Sequence, residues 1–148
     1  MSALRQGVSA YLGEFAAKQH ELVYRILGEL HAGQYNRVIE LSADISSLVL
    51  SLAALPIGRA YLALGKLDEA EKWLQVNRRR QLTYGMIDFY ESHHTMAFLL
   101  GEFYLAVLAT RRGRKDEAAK RYKFFLDFAG ASPAPLPQIK AASAALAK

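Results

Sequence analysis

The chain has 148 residues, of which 52% are apolar and 22% charged, with a net charge of +5 and no cysteine. That is enough chain to bury a core, and it excludes a disordered chain, a disulfide scaffold and a thiolate metal site. No uncharged apolar run reaches the roughly 18 residues of a membrane span, and "MSALRQGVSAYLGEF" lacks the basic flank and long apolar core of a secretory leader, so a soluble cytoplasmic protein is expected.

At the N-terminus Leu4, Val8, Tyr11/Leu12, Phe15 and Ala16 recur at helical spacing. They predict either a lone packing helix or the second half of a truncated repeat. Residues 22–42, "LVYRILGELHAGQYNRVIELS", read as two helices meeting at Gly33. Residues 55–75, "LPIGRAYLALGKLDEAEKWLQ", show the pattern more clearly around Gly65. Asp68 is the expected N-cap of the second helix there, and Glu71 three residues later completes a capping-box pattern.

The stretch "RQLTYGMIDFYESHHTMAF" comes next, and it lengthens the spacing. Met86, Phe89/Tyr90, His93, Met96/Ala97, Leu100, Phe103/Tyr104 and Val107 form one apolar stripe. It predicts a long helix from about Ile87 to Arg112, with a break near Ser92–Thr95. Residues 103–125, "FYLAVLATRRGRKDEAAKRYKFF", then repeat the earlier pattern around Gly113, followed by Asp116-Glu117-Ala118. In "GASPAPLPQIKAASAALAK", Pro137 suits the first helical position. Ile139, Ala142 and Leu146 would seal the last repeat.

Three copies of one unit therefore recur, with Gly33, Gly65 and Gly113 where each first helix ends. Glycine alone takes a left-handed cap without steric cost. Ala70 and Ala118 fall where paired helices cross closely. The unit resembles the tetratricopeptide repeat, a helix-turn-helix of about 34 residues. Gly58, Tyr61 and Ala70 match that family's first-helix glycine, its aromatic three positions later and its small second-helix residue. The third copy keeps Ala118 and Tyr122, with Ala106 for the first glycine and Ala109 for the aromatic; the first keeps Gly33 and Tyr35. The resemblance spans about residues 19 to 129. It implies an all-α, right-handed helix-hairpin solenoid of about three repeats (19–50, 52–80 and 86–129) with a capping helix over 137–147. The uneven spacing is similar to degenerate bacterial repeats, and the closing Ala/Leu helix suggests the C-terminal part of a longer protein.

No catalytic motif occurs: there is no GxSxG, and "GKLDE" lacks the loop and hydroxyl of a phosphate-binding turn. His93-His94 is the one metal-like pair, but adjacent helical residues point about 100° apart and cannot grip one ion together. No metal, cofactor or enzymatic activity is expected. All the excess charge lies in residues 78–123, with ten Lys/Arg against five Asp/Glu. Arg78-Arg79-Arg80 and Arg111-Arg112-Arg114-Lys115 are expected at helix C-termini, where cations meet the negative end of the helix dipole. No nucleic-acid motif accompanies them.

The resemblance implies a concave surface built from each first helix. Counted back from the turn glycines, its residues are Val23, Leu27, Leu30 and His31, then Leu55, Arg59, Leu62 and Ala63, then Phe103, Val107, Thr110 and Arg111. The set is mostly apolar and lacks the Lys/Asn/Arg clamp with which some family members hold a C-terminal carboxylate. Leu62 and Phe103 are expected to be partly exposed. The function expected is binding a peptide or helix of another protein, or a part of the parent chain. Self-association into a homodimer is a further option. The alternative is a nucleic-acid-linked regulator using the basic region 78–123.

Overall fold

The computed structural model describes residues 2–85, 92–130 and 136–147. Within them the protein is all-α, with no strand. The helices are α1 (Ser2–His31), α2 (Tyr35–Ser42), α3 (Leu50–Ala63), α4 (Leu67–Gly85), α5 (Ser92–Arg111), α6 (Lys115–Ala129) and α7 (Pro137–Leu146), with a 3₁₀ turn at Ser47–Val49. No helix among the described residues is long and apolar enough to cross a membrane.

Six of these helices form three hairpins, α1/α2, α3/α4 and α5/α6, and the same backbone turn closes each. Gly33, Gly65 and Gly113 have φ of 73°, 74° and 71°, the left-handed region that glycine enters freely. Each glycine N–H bonds the carbonyl three residues back: Leu30, Leu62 and Thr110. The next N–H bonds the carbonyl five residues back: Glu29 from Gln34, Tyr61 from Lys66 and Ala109 from Arg114. That pair of bonds satisfies the orphan carbonyls of each helix end. The following residue starts the next helix at once. Val38, Ala70 and Ala118 donate to Gln34, Lys66 and Arg114, so the second helices also begin in register.

This corrects the expected cap. Lys66 occupies the N-cap position of α4, and Asp68 lies inside the first turn with Glu69. Asp68 and Glu69 there still meet the positive end of the helix dipole. Two boundaries also differ. The N-terminal stripe does not form a separate helix, because α1 runs unbroken for 30 residues. Helix α4 continues to Gly85, so Arg78 lies within it rather than at its end. Ser92–Thr95 is helical in α5, and residues 86–91, where the long helix was expected to begin, lie outside the described residues.

Helices α1 to α7 pack in sequence order, each on the next. In addition α1 touches α3, and α3 touches α5. The first helices thus form one layer. Three apolar clusters fill the spaces between. Val23, Ile26, Val38, Val49 and Ile57 join α1, α2 and α3. Leu55, Leu62, Ala70, Leu74, Leu105 and Leu108 join α3, α4 and α5. Phe103, Tyr122, Phe125 and Ala142 join α5, α6 and α7. Gly58 lets α3 approach α4 closely, since a Cβ there would lie 2.9 Å from Leu74 Cγ. Gln19 ties α1 to the α2–α3 connection, accepting from Ser46 N at 2.8 Å and donating to the Asp44 carbonyl at 3.2 Å.

Candidate binding cleft

A cleft of about 200 Å³ opens where α1, α2, α3 and α5 meet. Leu30, Leu62, Ala63 and Val107 supply its apolar lining, Tyr35 and Tyr104 its aromatic walls, and Arg59 and Arg111 its charge. Among the described residues, no acid lines it.

Each lining position follows from the hairpin geometry. Counting back from the turn glycine, Ala63 and Arg111 stand at the second residue, Arg59 and Val107 at the sixth, and Leu30 and Leu62 at the third. Tyr104 stands at the ninth. Steps of three and four along a helix keep side chains on one face. Tyr35 enters from the other side, as the first residue of α2.

Five residues expected on the groove surface are core instead. Val23 is 3% exposed, Leu30 8%, Leu55 9%, Leu62 4% and Phe103 6%. Val23, Leu55 and Phe103 all lie ten residues before a turn glycine, one residue beyond the ninth, and so about 100° round the helix. That rotation turns them into the apolar clusters between the packed helices. Leu62 does line the cleft, but as its floor, packed among Leu55, Ala70 and Leu74. Leu27 is 42% exposed yet stands outside the cleft, as do His31 and Thr110. Arg59, Val107 and Arg111 line the cleft together. Tyr35 and Tyr104 were absent from the expected set.

The two arginines sit differently. Arg111 donates from Nη1 to the Leu62 carbonyl at 2.5 Å, bracing the end of α5 against the end of α3. Arg59 has its Cζ 4.9 Å from the Tyr104 ring centroid, a cation–π contact.

The basic region is arranged for internal pairing. Arg112 pairs with Asp68 and, at 2.8 Å, with Glu71. Arg114 meets Glu71 at 3.2 Å and Glu117 at 2.9 Å. Arg121 meets Glu117 at 3.0 Å and Glu102 at 2.5 Å. Arg78 completes the chain on Glu102 at 2.7 Å. Hydrogen bonding to Glu71 holds Arg114 above its ordinary pKa. These partners, more than the helix dipole, explain the local excess of arginine. The carboxylates of Asp68 and Glu71 lie outside residues 78–123, so a count over that window misses them. The side chains of Arg80, His93 and His94 lie outside the described residues.

Comparison with protein-family models, with curated proteins and with solved structures found no match to this chain.

Proposed function

We propose that the protein is an interaction module that holds a peptide or helix of a partner protein, or of its own parent chain, in the cleft between α1, α3 and α5. The arrangement is read as a short tetratricopeptide-like array. Three hairpins with one turn geometry and a layered set of first helices support that reading.

The observation that carries the function is the lining itself. Apolar and aromatic side chains from four separate helices converge on a cleft whose charged residues are all cationic. Convergent apolar surface with a few fixed polar groups is the usual form of a binding site. The nucleic-acid alternative is less well supported, because Arg78, Arg112, Arg114 and Arg121 already hold carboxylates. Neutralised side chains release few counterions from a phosphate backbone.

Ala63→Trp tests the proposal. Ala63 is exposed and lines the cleft, so the larger side chain fills the space without entering the core. Partners cross-linked and recovered from source lysate by the wild-type protein should be lost with this variant, while its circular dichroism melt stays unchanged. Equal recovery by a folded Ala63→Trp protein would rule this cleft out.

A further inference from the structure

Five arginines among the described residues pair with acids. Arg37, Arg78, Arg112, Arg114 and Arg121 each meet a carboxylate within 3.0 Å. The two arginines of the cleft meet no carboxylate among the described residues: Arg111 spends one N–H on a backbone carbonyl, and Arg59 approaches the Tyr104 ring. The Arg59 Cζ lies over that ring. A guanidinium carries five donors in its own plane, suited to a bidentate acceptor. Beside Arg59 the cleft is apolar, through Leu62, Ala63 and Val107, and no acid lines it among the described residues.

We infer that the cleft recognises an internal aspartate or glutamate neighbouring an apolar side chain in a partner polypeptide, with Arg59 holding the carboxylate. This rests on the reading of the cleft as the partner-binding surface. The size agrees with one or two side chains rather than a whole small molecule. About 200 Å³ falls below the usual range for small-molecule sites, roughly 300–1,000 Å³. The charge agrees too, since a carboxylate is the complement that Arg37, Arg78, Arg112, Arg114 and Arg121 already have. A charge-assisted, bidentate pair also gives orientation that an apolar anchor alone lacks. Arg111, fixed on the Leu62 carbonyl, adds positive potential without having to move.

The test is a selection from a random peptide library displayed on phage, in which no peptide has a free C-terminus. Selected peptides should be enriched in Asp or Glu adjacent to Leu, Ile, Phe or Met. A synthetic copy of the best one should bind about ten- to a hundredfold more weakly when its acid becomes the amide. Arg59→Gln should cause the same loss, and the two changes together should cost no more than either alone. Arg59→Lys should restore part of the affinity. Because Arg59 holds no ion pair among the described residues, the variants should melt as wild type does; should one fail to fold, the amide peptide against the wild-type protein still decides. Selection of apolar peptides without an acid, or an Arg59→Gln protein that binds as well as wild type, would overturn the inference and leave the proposed function standing. No enrichment over a blank surface would overturn both. A labelled oligonucleotide that binds through Arg59 and displaces the peptide would reassign the cleft to phosphate.

Discussion

Arg121 on α6 donates to Glu102 on α5 across 2.5 Å, and the Glu102 carboxylate is 6% exposed. Arg78 of α4 reaches the same carboxylate at 2.7 Å. Three successive helices therefore share one buried acid. Removing one member of a buried pair leaves the others uncompensated, which costs more than the pair itself contributes. Arg78 and Arg121 keep some contact with water, at 42% and 20% exposure, and that softens the loss. Glu102→Gln should lower the unfolding free energy by about 2 kcal/mol. Urea unfolding measures it, and a midpoint equal to wild type would show that the pairing contributes nothing.

The glycines should separate into three classes. Gly58→Ala places a Cβ against Leu74, whose backbone N would also be only 3.3 Å away, and should cost about 1–3 kcal/mol. Gly65→Ala forces an L-residue to a φ of 74° and should cost about 1–2 kcal/mol. Gly28→Ala sits in α1 with nothing within 4 Å of the added carbon. It should stabilise by about 0.5–1 kcal/mol, through the entropy of the unfolded chain. Thermal melts of the three variants check the order, and a destabilising Gly28→Ala would contradict the packing described for α1.

Leu62→Lys and Phe103→Lys should each lose about 3 kcal/mol or more, since both bury a charge in a core cluster. Circular dichroism at rising temperature would show it. Near-native melts would mean that these side chains face solvent after all.

The turns were legible in the sequence because one rare requirement marks each of them. Gly33, Gly65 and Gly113 all take positive φ, and only glycine does so at no cost. The cap at Asp68 was misread because Asp with Glu three residues on satisfies a local rule. The six-residue turn geometry overrides it, starting the helix directly after Lys66. The second and sixth positions before the glycine bring Arg59, Ala63, Val107 and Arg111 to the cleft in the second and third copies, while Leu27 and His31 of the first copy stand outside it. One residue more or less at the third turn exchanges Phe103 for Tyr104, and periodicity alone does not fix that choice. Tyr35 was not legible, since its place depends on where α2 returns beside α3. The acids that neutralise the basic region were hidden because Asp68 and Glu71 come from an earlier hairpin.

Glu14 and Lys18 pair at 2.8 Å on the exposed surface of α1. The hydrogen bond from Lys18, and then its charge, hold the Glu14 carboxyl below the usual carboxylate range. A depressed folded-state value gives a contribution present above the unfolded-state pKa and lost as pH falls through the folded one. Lys18→Ala should therefore raise the Glu14 titration midpoint followed by NMR. An unmoved midpoint would show that the pair does not form in solution.

The central claim is that partners occupy the cleft between α1, α3 and α5. Methyl NMR on the wild-type protein, titrated with a selected peptide, tests it most directly. Leu30, Leu62, Ala63 and Val107 line the cleft, whereas Leu12 and Leu48 are exposed elsewhere, at 57% and 56%. The account predicts that the first four methyl groups shift in proportion to bound peptide and that Leu12 and Leu48 stay still. Shifts confined to Leu12 or Leu48, with the four cleft residues unmoved at saturation, would contradict it.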